Sequence, residues 1–140
     1  MIYFLDTNIC IYLLKGTFPG LRKRLLATKP EDVKIASIVY GELLAGAKAS
    51  GEPEKSLEAV TAFVSQFEII PFDKTGAEVY GRIRSELLIA GLKGGANDMV
   101  LAATALSKNG VIVTNNEKDF SRFAGVQIEN WVKQNFSIED

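Results

Sequence analysis

Ile2-Tyr3-Phe4-Leu5-Asp6-Thr7-Asn8 opens with four apolar residues, stops at an acid, and leads into the apolar-periodic stretch Ile9 to Leu14. An unbroken β-favouring run without polar alternation reads as a strand buried on both faces. That is the habit of a parallel sheet covered by helices on either side. In such sheets ligands bind beyond the carboxyl ends of the strands, so Asp6 is delivered to the edge where chemistry is expected. Three further acids, Glu42, Asp98 and Asp119, recur near helix starts or strand ends. The functional question is whether these four side chains meet.

Outward from that strand the pattern alternates. A helix is predicted from about Ile9 to Lys15 with Gly16 as its C-cap, and Pro19 opens a second helix toward Thr28. Val33 to Ala36 reads as a strand, and Ser37 is placed to cap a helix over Ile38 to Ala49. In that helix Val39, Glu42, Leu43 and Gly46 share the i, i+3, i+4, i+7 stripe, which turns Glu42 inward. Gly51-Glu52-Pro53 breaks the chain before a helix over Glu54 to Gln66, and Phe67 to Pro71 is a strand. Lys74 to Ala90 forms a long amphipathic helix whose inner face is outlined by Ala77, Tyr80, Ile83, Arg84 and Leu87. After Gly94-Gly95 a helix over Ala96 to Lys108 is apolar nearly all round, as in a helix buried against sheet and neighbours. Val111 to Thr114 is the next strand, a helical turn spans Glu117 to Phe123, and Val126 to Ile128 closes the sheet. Strands alternating with helices imply an α/β domain with a parallel sheet covered on both faces.

Composition removes whole classes of chemistry. The chain has no histidine and a single cysteine, Cys10. Imidazole-built zinc sites, Ser-His hydrolases, histidine-based nucleases and thiolate metal sites are therefore all excluded. Carboxylates remain, and on phosphate esters they act mainly by holding Mg²⁺ or Mn²⁺. Sixteen basic residues against seventeen acidic give a net charge of −1, less basic than most nucleic-acid binders, although acids that hold a metal no longer repel phosphate. The basic clusters Arg22-Lys23-Arg24, Arg82 with Arg84, and Lys118 with Arg122 read as solvated helix faces. With neither a membrane-length apolar run nor a signal-like amino terminus, a soluble, cytoplasmic protein is expected. Cys10 reads as a small buried hydrophobe.

Taken one at a time, the acids divide. Asp6 is equally suited to cap the first helix and to bind a ligand. Glu42 is the least expected, because an unpaired carboxylate on an inward stripe is costly and must neutralise, pair or meet a metal. Asp98 favours the positive end of its helix, where Asn97 is a credible cap. Asp119 by itself reads as a surface acid. Jointly, Asp6, Asp98 and the Thr114–Asp119 turn fall at one sheet edge, and crowded carboxylates repel unless they share a cation.

Several blocks resemble the PIN-domain nucleases, and among them the VapC-type toxins of prokaryotic toxin–antitoxin pairs. They are Phe4-Leu5-Asp6-Thr7-Asn8-Ile9-Cys10-Ile11-Tyr12; Tyr40-Gly41-Glu42-Leu43 with Gly46; Asn97-Asp98-Met99 with Ala102-Ala103; and Val113-Thr114-Asn115-Asn116 with Asp119-Phe120, closed by Glu129-Asn130-Trp131. The likeness covers almost the whole chain, as a PIN domain over residues 1–136 followed by a frayed tail over 137–140. It implies a Rossmann-like three-layer sandwich with a parallel sheet of about five strands. It further implies catalytic and metal-binding roles for Asp6, Glu42, Asp98 and Asp119 around Mg²⁺ or Mn²⁺, with Asp6 and Asp98 as direct ligands and Asn8 and Thr114 as hydrogen-bonding supports. The activity implied is hydrolysis of RNA, such as a transfer RNA, by metal-activated water, inhibiting translation. A VapB-type antitoxin and a homodimer are implied as partners. Two departures stand out: Thr104 where many relatives have histidine, and Lys93-Gly94-Gly95 where proline-isoleucine-glycine is common.

Two rivals remain at this point. A phosphotransfer or receiver-like domain would use Asp6 or Asp73 as acceptor, but the haloacid-dehalogenase arrangement needs a second aspartate where this chain has Asn8. A non-catalytic PIN-like module would bind RNA or protein only, and four retained acids argue against it.

Overall fold

The computed structural model describes residues 1–133. The expected tail over 137–140, and the last three residues of the expected domain, lie outside the described residues. Five parallel strands form one sheet in the order β3-β2-β1-β4-β5, with β1 Tyr3–Leu5, β2 Val33–Ala36, β3 Glu68–Ile70, β4 Val111–Val113 and β5 Gln127–Glu129. Helices α1 Thr7–Lys15, α2 Pro19–Leu26, α3 Ser37–Lys48, α4 Pro53–Val64, α5 Lys74–Ala90, α6 Ala96–Ser107 and α7 Glu117–Phe120 connect and cover them. This is the α/β architecture that the opening strand implied.

The central position of β1 follows from its composition. Phe4 and Leu5 are fully buried, as are Ile112 and Val113 beside them and Ile35 and Ala36 on the other side. Only residues apolar on both faces can occupy the middle of a covered sheet. From β1 the chain builds outward through β2 and β3, then returns to build β4 and β5 on the opposite flank. The reversal opens a crevice at the carboxyl ends of β1 and β4, the place where such folds bind ligands.

Helix ends follow local chemistry. Gly16 and Gly91 close α1 and α5 at φ of 67° and 69°, the left-handed geometry that glycine reaches without strain. Gly110, ahead of β4, permits close packing instead: a Cβ there would stand 2.6 Å from the ring of Phe4. Beyond β5, Trp131 is fully buried, donates to Glu129 at 2.9 Å and meets Tyr3 edge to face. Arg24 from α2 stacks over its ring at 4.8 Å and reaches Glu129 at 3.4 Å, so one expected solvated cluster is partly structural. Cys10 is buried as expected.

Some details differ from expectation. Ser37 does not cap α3. Ala36 holds the cap position, and the Ser37 hydroxyl accepts from the Phe72 backbone at 3.3 Å, tying β2 to the segment after β3. The inner face of α5 holds Ile83, Leu87 and the partly buried Tyr80 as expected, but Gly76 joins it while Ala77 and Arg84 are exposed. Gly46 is exposed as well, so Glu42 lies at the border of the α3 stripe rather than within it. A short 3₁₀ turn at Pro30–Asp32 precedes β2, and α7 stops at Phe120.

Candidate active site

Asp6 immediately follows β1 and continues its ladder, its N–H donating to Val113 O at 3.1 Å. Its carboxylate accepts from Ile9 N–H at 2.8 Å and so caps α1. It also faces the crevice beside Thr114, so capping α1 does not withdraw Asp6 from the candidate site. The Thr114 hydroxyl accepts from Asn116 N–H at 2.9 Å, which leaves its own proton for Asp6. Burial pushes the Asp6 carboxyl above the usual range, and the nearby Asp98 and Glu42 add to the shift. The Thr114 and Ile9 bonds pull the other way without cancelling it.

Glu42 is held at both oxygens. The Thr7 hydroxyl from the first turn of α1 donates to one at 2.6 Å, and the Asn97 amide from the first turn of α6 donates to the other at 3.2 Å. Three helices are thereby joined through one carboxylate. Asn97 is not the helix cap. That position is Gly95, which has no side chain to spend there.

Asp98 is half-buried in the first turn of α6. Its carboxyl is also raised, first by burial and then by Asp119 and Glu42. Asp119, in the short α7, accepts from the Asn116 amide at 2.6 Å and is half-buried rather than a free surface acid. All four expected acids are thus gathered at one sheet edge. None of the ion pairs among the described residues includes any of them.

The cluster is looser than four converging ligands. Among the described residues no group of three acids is arranged to hold an ion by itself. Asp6, Glu42 and Asp119 each also accept a hydrogen bond from a neighbouring donor. The donor set still fits a hard cation, being all oxygen, crowded with like charge and, among the described residues, without a basic partner. Mg²⁺ commonly takes one or two carboxylates and completes its shell with water.

Sequence reasoning missed Thr7 and Asn97. The signal was present, since both neighbour a site acid, but only the packing of α1 and α6 on α3 reveals their target. Asn8, expected as a hydrogen-bonding support, is exposed and lines the cleft beside Asp6 without a hydrogen bond among the described residues, while Thr7 holds Glu42. Thr104, at the histidine position of many relatives, is buried and returns its hydroxyl to Val100 O at 2.7 Å. Asp73, the rival phosphoryl acceptor, is committed as the N-cap of α5.

The PIN domain family model matches residues 3–126. Ribonuclease VapC2 of Rickettsia felis is 39% identical over 95% of this chain and 100% of its own length. The tRNA(fMet)-specific endonuclease VapC of Shigella flexneri is 36% identical over 92% of this chain and 97% of its own. A chain in the crystal structure of DNA-bound VapBC from Salmonella typhimurium superposes with a TM-score of 0.89 at 37% identity, covering 94% of this chain and 98% of that one. The protein belongs to the PIN-domain family, and within it to the VapC ribonucleases.

Proposed function

We propose that this protein is a divalent-metal-dependent endoribonuclease that acts as the toxin of a toxin–antitoxin pair and inhibits translation in the cytoplasm. The observation that carries this reading is the gathering of Asp6, Glu42, Asp98 and Asp119 at the β1/β4 crevice without a basic partner among the described residues. Asp6 and Asp98 would hold Mg²⁺ or Mn²⁺ directly, while Glu42 and Asp119 would act on it through water. A bound cation supplies Lewis acidity toward the phosphoryl oxygens and makes water a better nucleophile.

The chain's own residues do the rest. Thr7 and Asn97 fix both oxygens of Glu42, which takes the proton of the attacking water. Thr114 orients Asp6, and Asn116 orients Asp119. In-line attack by water on the phosphodiester breaks the bond to the 3′-oxygen. The products carry a 5′-phosphate and a 3′-hydroxyl.

One relative is named for a transfer RNA, and a transfer RNA is our proposed substrate class here. Solved neighbours are VapBC complexes, which supports a VapB-type antitoxin as partner. A homodimer is also proposed, supported by an exposed apolar cluster at the end of α5 and just beyond it, where Leu88, Ile89 and Leu92 are 67%, 88% and 53% exposed. Among the described residues no helix is long and apolar enough to cross a membrane.

The deciding experiment incubates purified protein with transfer RNA and Mn²⁺ and maps the new ends. Ends ligatable through a 5′-phosphate are expected. A cyclic 2′,3′-phosphate would refute the water mechanism.

A further inference from the structure

Beside Asp6 the crevice continues as a cleft of about 220 Å³ lined by Asp6, Asn8, Tyr12, Asn115 and Asn116. A water's share of liquid volume is about 30 Å³, so there is room here for a planar heterocycle. Three amides and an aromatic ring are an unusual lining beside an acidic centre, and none of them is needed to hold the four acids except Asn116.

The hydrogen bonds around the cleft fix which atoms its amides present. Asn130 is 7% exposed and accepts through Oδ1 from the N–H groups of Val132 and Lys133 at 3.0 and 3.1 Å. Its Nδ2 donates to Glu117 at 3.1 Å, and a carboxylate paired with Lys133 at 2.8 Å can only accept. The orientation of Asn130 is therefore determined from both ends. Because its Nδ2 also meets Asn115 at 3.0 Å, Asn115 must present its carbonyl to it, and its NH₂ is unspent among the described residues. Asn116 is fixed in the opposite sense. Its Nδ2 donates to the Asp119 carboxylate at 2.6 Å, which leaves its carbonyl oxygen unspent. Asn116 occupies the N-cap of α7 yet makes no capping bond, so neither amide is consumed by the turn that carries it. Tyr12 is braced edge-on against Phe18 at 5.0 Å.

We propose that this cleft receives the unpaired nucleobase next to the scissile phosphate, with the Asn115 NH₂ and the Asn116 carbonyl as its specificity-determining groups and Tyr12 as the ring against which it lies. The Watson–Crick edge of every base sets an acceptor next to a donor, in an arrangement that differs from base to base, and recognition of splayed-out bases by amides and aromatics is how single-stranded RNA is read. That the base flanks a cut bond rests on the ribonuclease reading. That the cleft takes a base does not.

The test has two arms. In the first, side-chain amide and aromatic NMR resonances of the full chain without added metal are followed while each nucleoside 5′-monophosphate is added, with ribose 5-phosphate as the baseless control. Shifts at Asn115, Asn116 and Tyr12 with nucleotides and not with ribose 5-phosphate are expected. Equal shifts from the control, or none from any nucleotide, would overturn the proposal. In the second arm, wild type and Asn115→Asp cut a pool of randomised single-stranded RNA with Mn²⁺. Asn115→Asp keeps the acceptor that Asn130 needs and replaces the donor. The preferred base beside the cut should change by up to about tenfold, the scale of one lost hydrogen bond. A pure effect of the added charge would instead lower cleavage of all sequences alike and leave preference untouched. An unaltered preference refutes the cleft while leaving the nuclease intact; nucleotide-induced shifts in a protein that cuts no RNA refute the nuclease while leaving the cleft.

Discussion

Asp6 serves two purposes with one carboxylate, and its variants should separate them. Asparagine is as good an N-cap as aspartate, whereas alanine in a cap position costs about 1 kcal/mol. Asp6→Asn should therefore abolish Mn²⁺-dependent RNA cleavage at unchanged or raised thermal stability, and Asp6→Ala should abolish it with a lowered melting temperature. Cleavage retained by both would remove Asp6 from the site. The direction of its titration yields a second test. Because the carboxyls of Asp6 and Asp98 are raised above the ordinary 3.8 in the folded protein, the native state binds their protons more tightly than the unfolded chain. Their contribution is then greatest below that ordinary value and is lost as pH climbs through the raised one. Measured by urea unfolding in EDTA, wild type should gain on Asp6→Asn as the solution is acidified, and a pH-independent difference would contradict this. In the sequence, Asp6 stood out as the acid ending a buried apolar run and Glu42 as a carboxylate on a partly inward stripe. Asp98 and Asp119 had sufficient local readings and were singled out only by the shared sheet edge and the family resemblance. Thr7 and Asn97 were not legible, because a hydroxyl or amide in a first helical turn has a sufficient local explanation as a cap.

At the scale of elements, the strands were legible because continuous apolar runs such as Val111–Val113 have no other stable home. What escaped was the edge of one helix face. On α5, Ile83 and Leu87 are buried and Tyr80 packs against the core as expected, but Gly76 rather than Ala77 approaches the body of the protein, with the Phe72 ring lying 3.1 Å from where its Cβ would be. Neither residue has enough side chain to declare a preference in the sequence. Close approach is also the lesson of Gly110. Phe4 is fully buried at the centre of the sheet, so its ring has nowhere to retreat from a methyl group 2.6 Å away. Gly110→Ala should cost about 1–3 kcal/mol as an overpacked core position. The urea midpoint should fall with an unchanged slope, and an unchanged midpoint would show that β1 and β4 can separate more easily than their packing implies.

Across the whole molecule, the outward apolar cluster at Leu88, Ile89 and Leu92 is the feature a solitary domain would not be expected to keep. If copies of the chain meet there, replacing Leu88 and Ile89 together by glutamate should lower the mass measured by light scattering to that of a monomer while RNA cleavage chemistry persists. A mass unaltered by the double replacement would place the contact elsewhere. The fold also settles a practical matter. Its lone thiol is enclosed at the root of α1, and burial raises its pKa far from the range in which thiolates form. To maleimides and disulfide reagents the folded exterior is blank. A cysteine engineered at any exposed position would be the sole reactive handle, ready for a fluorophore or spin label without first deleting the natural one.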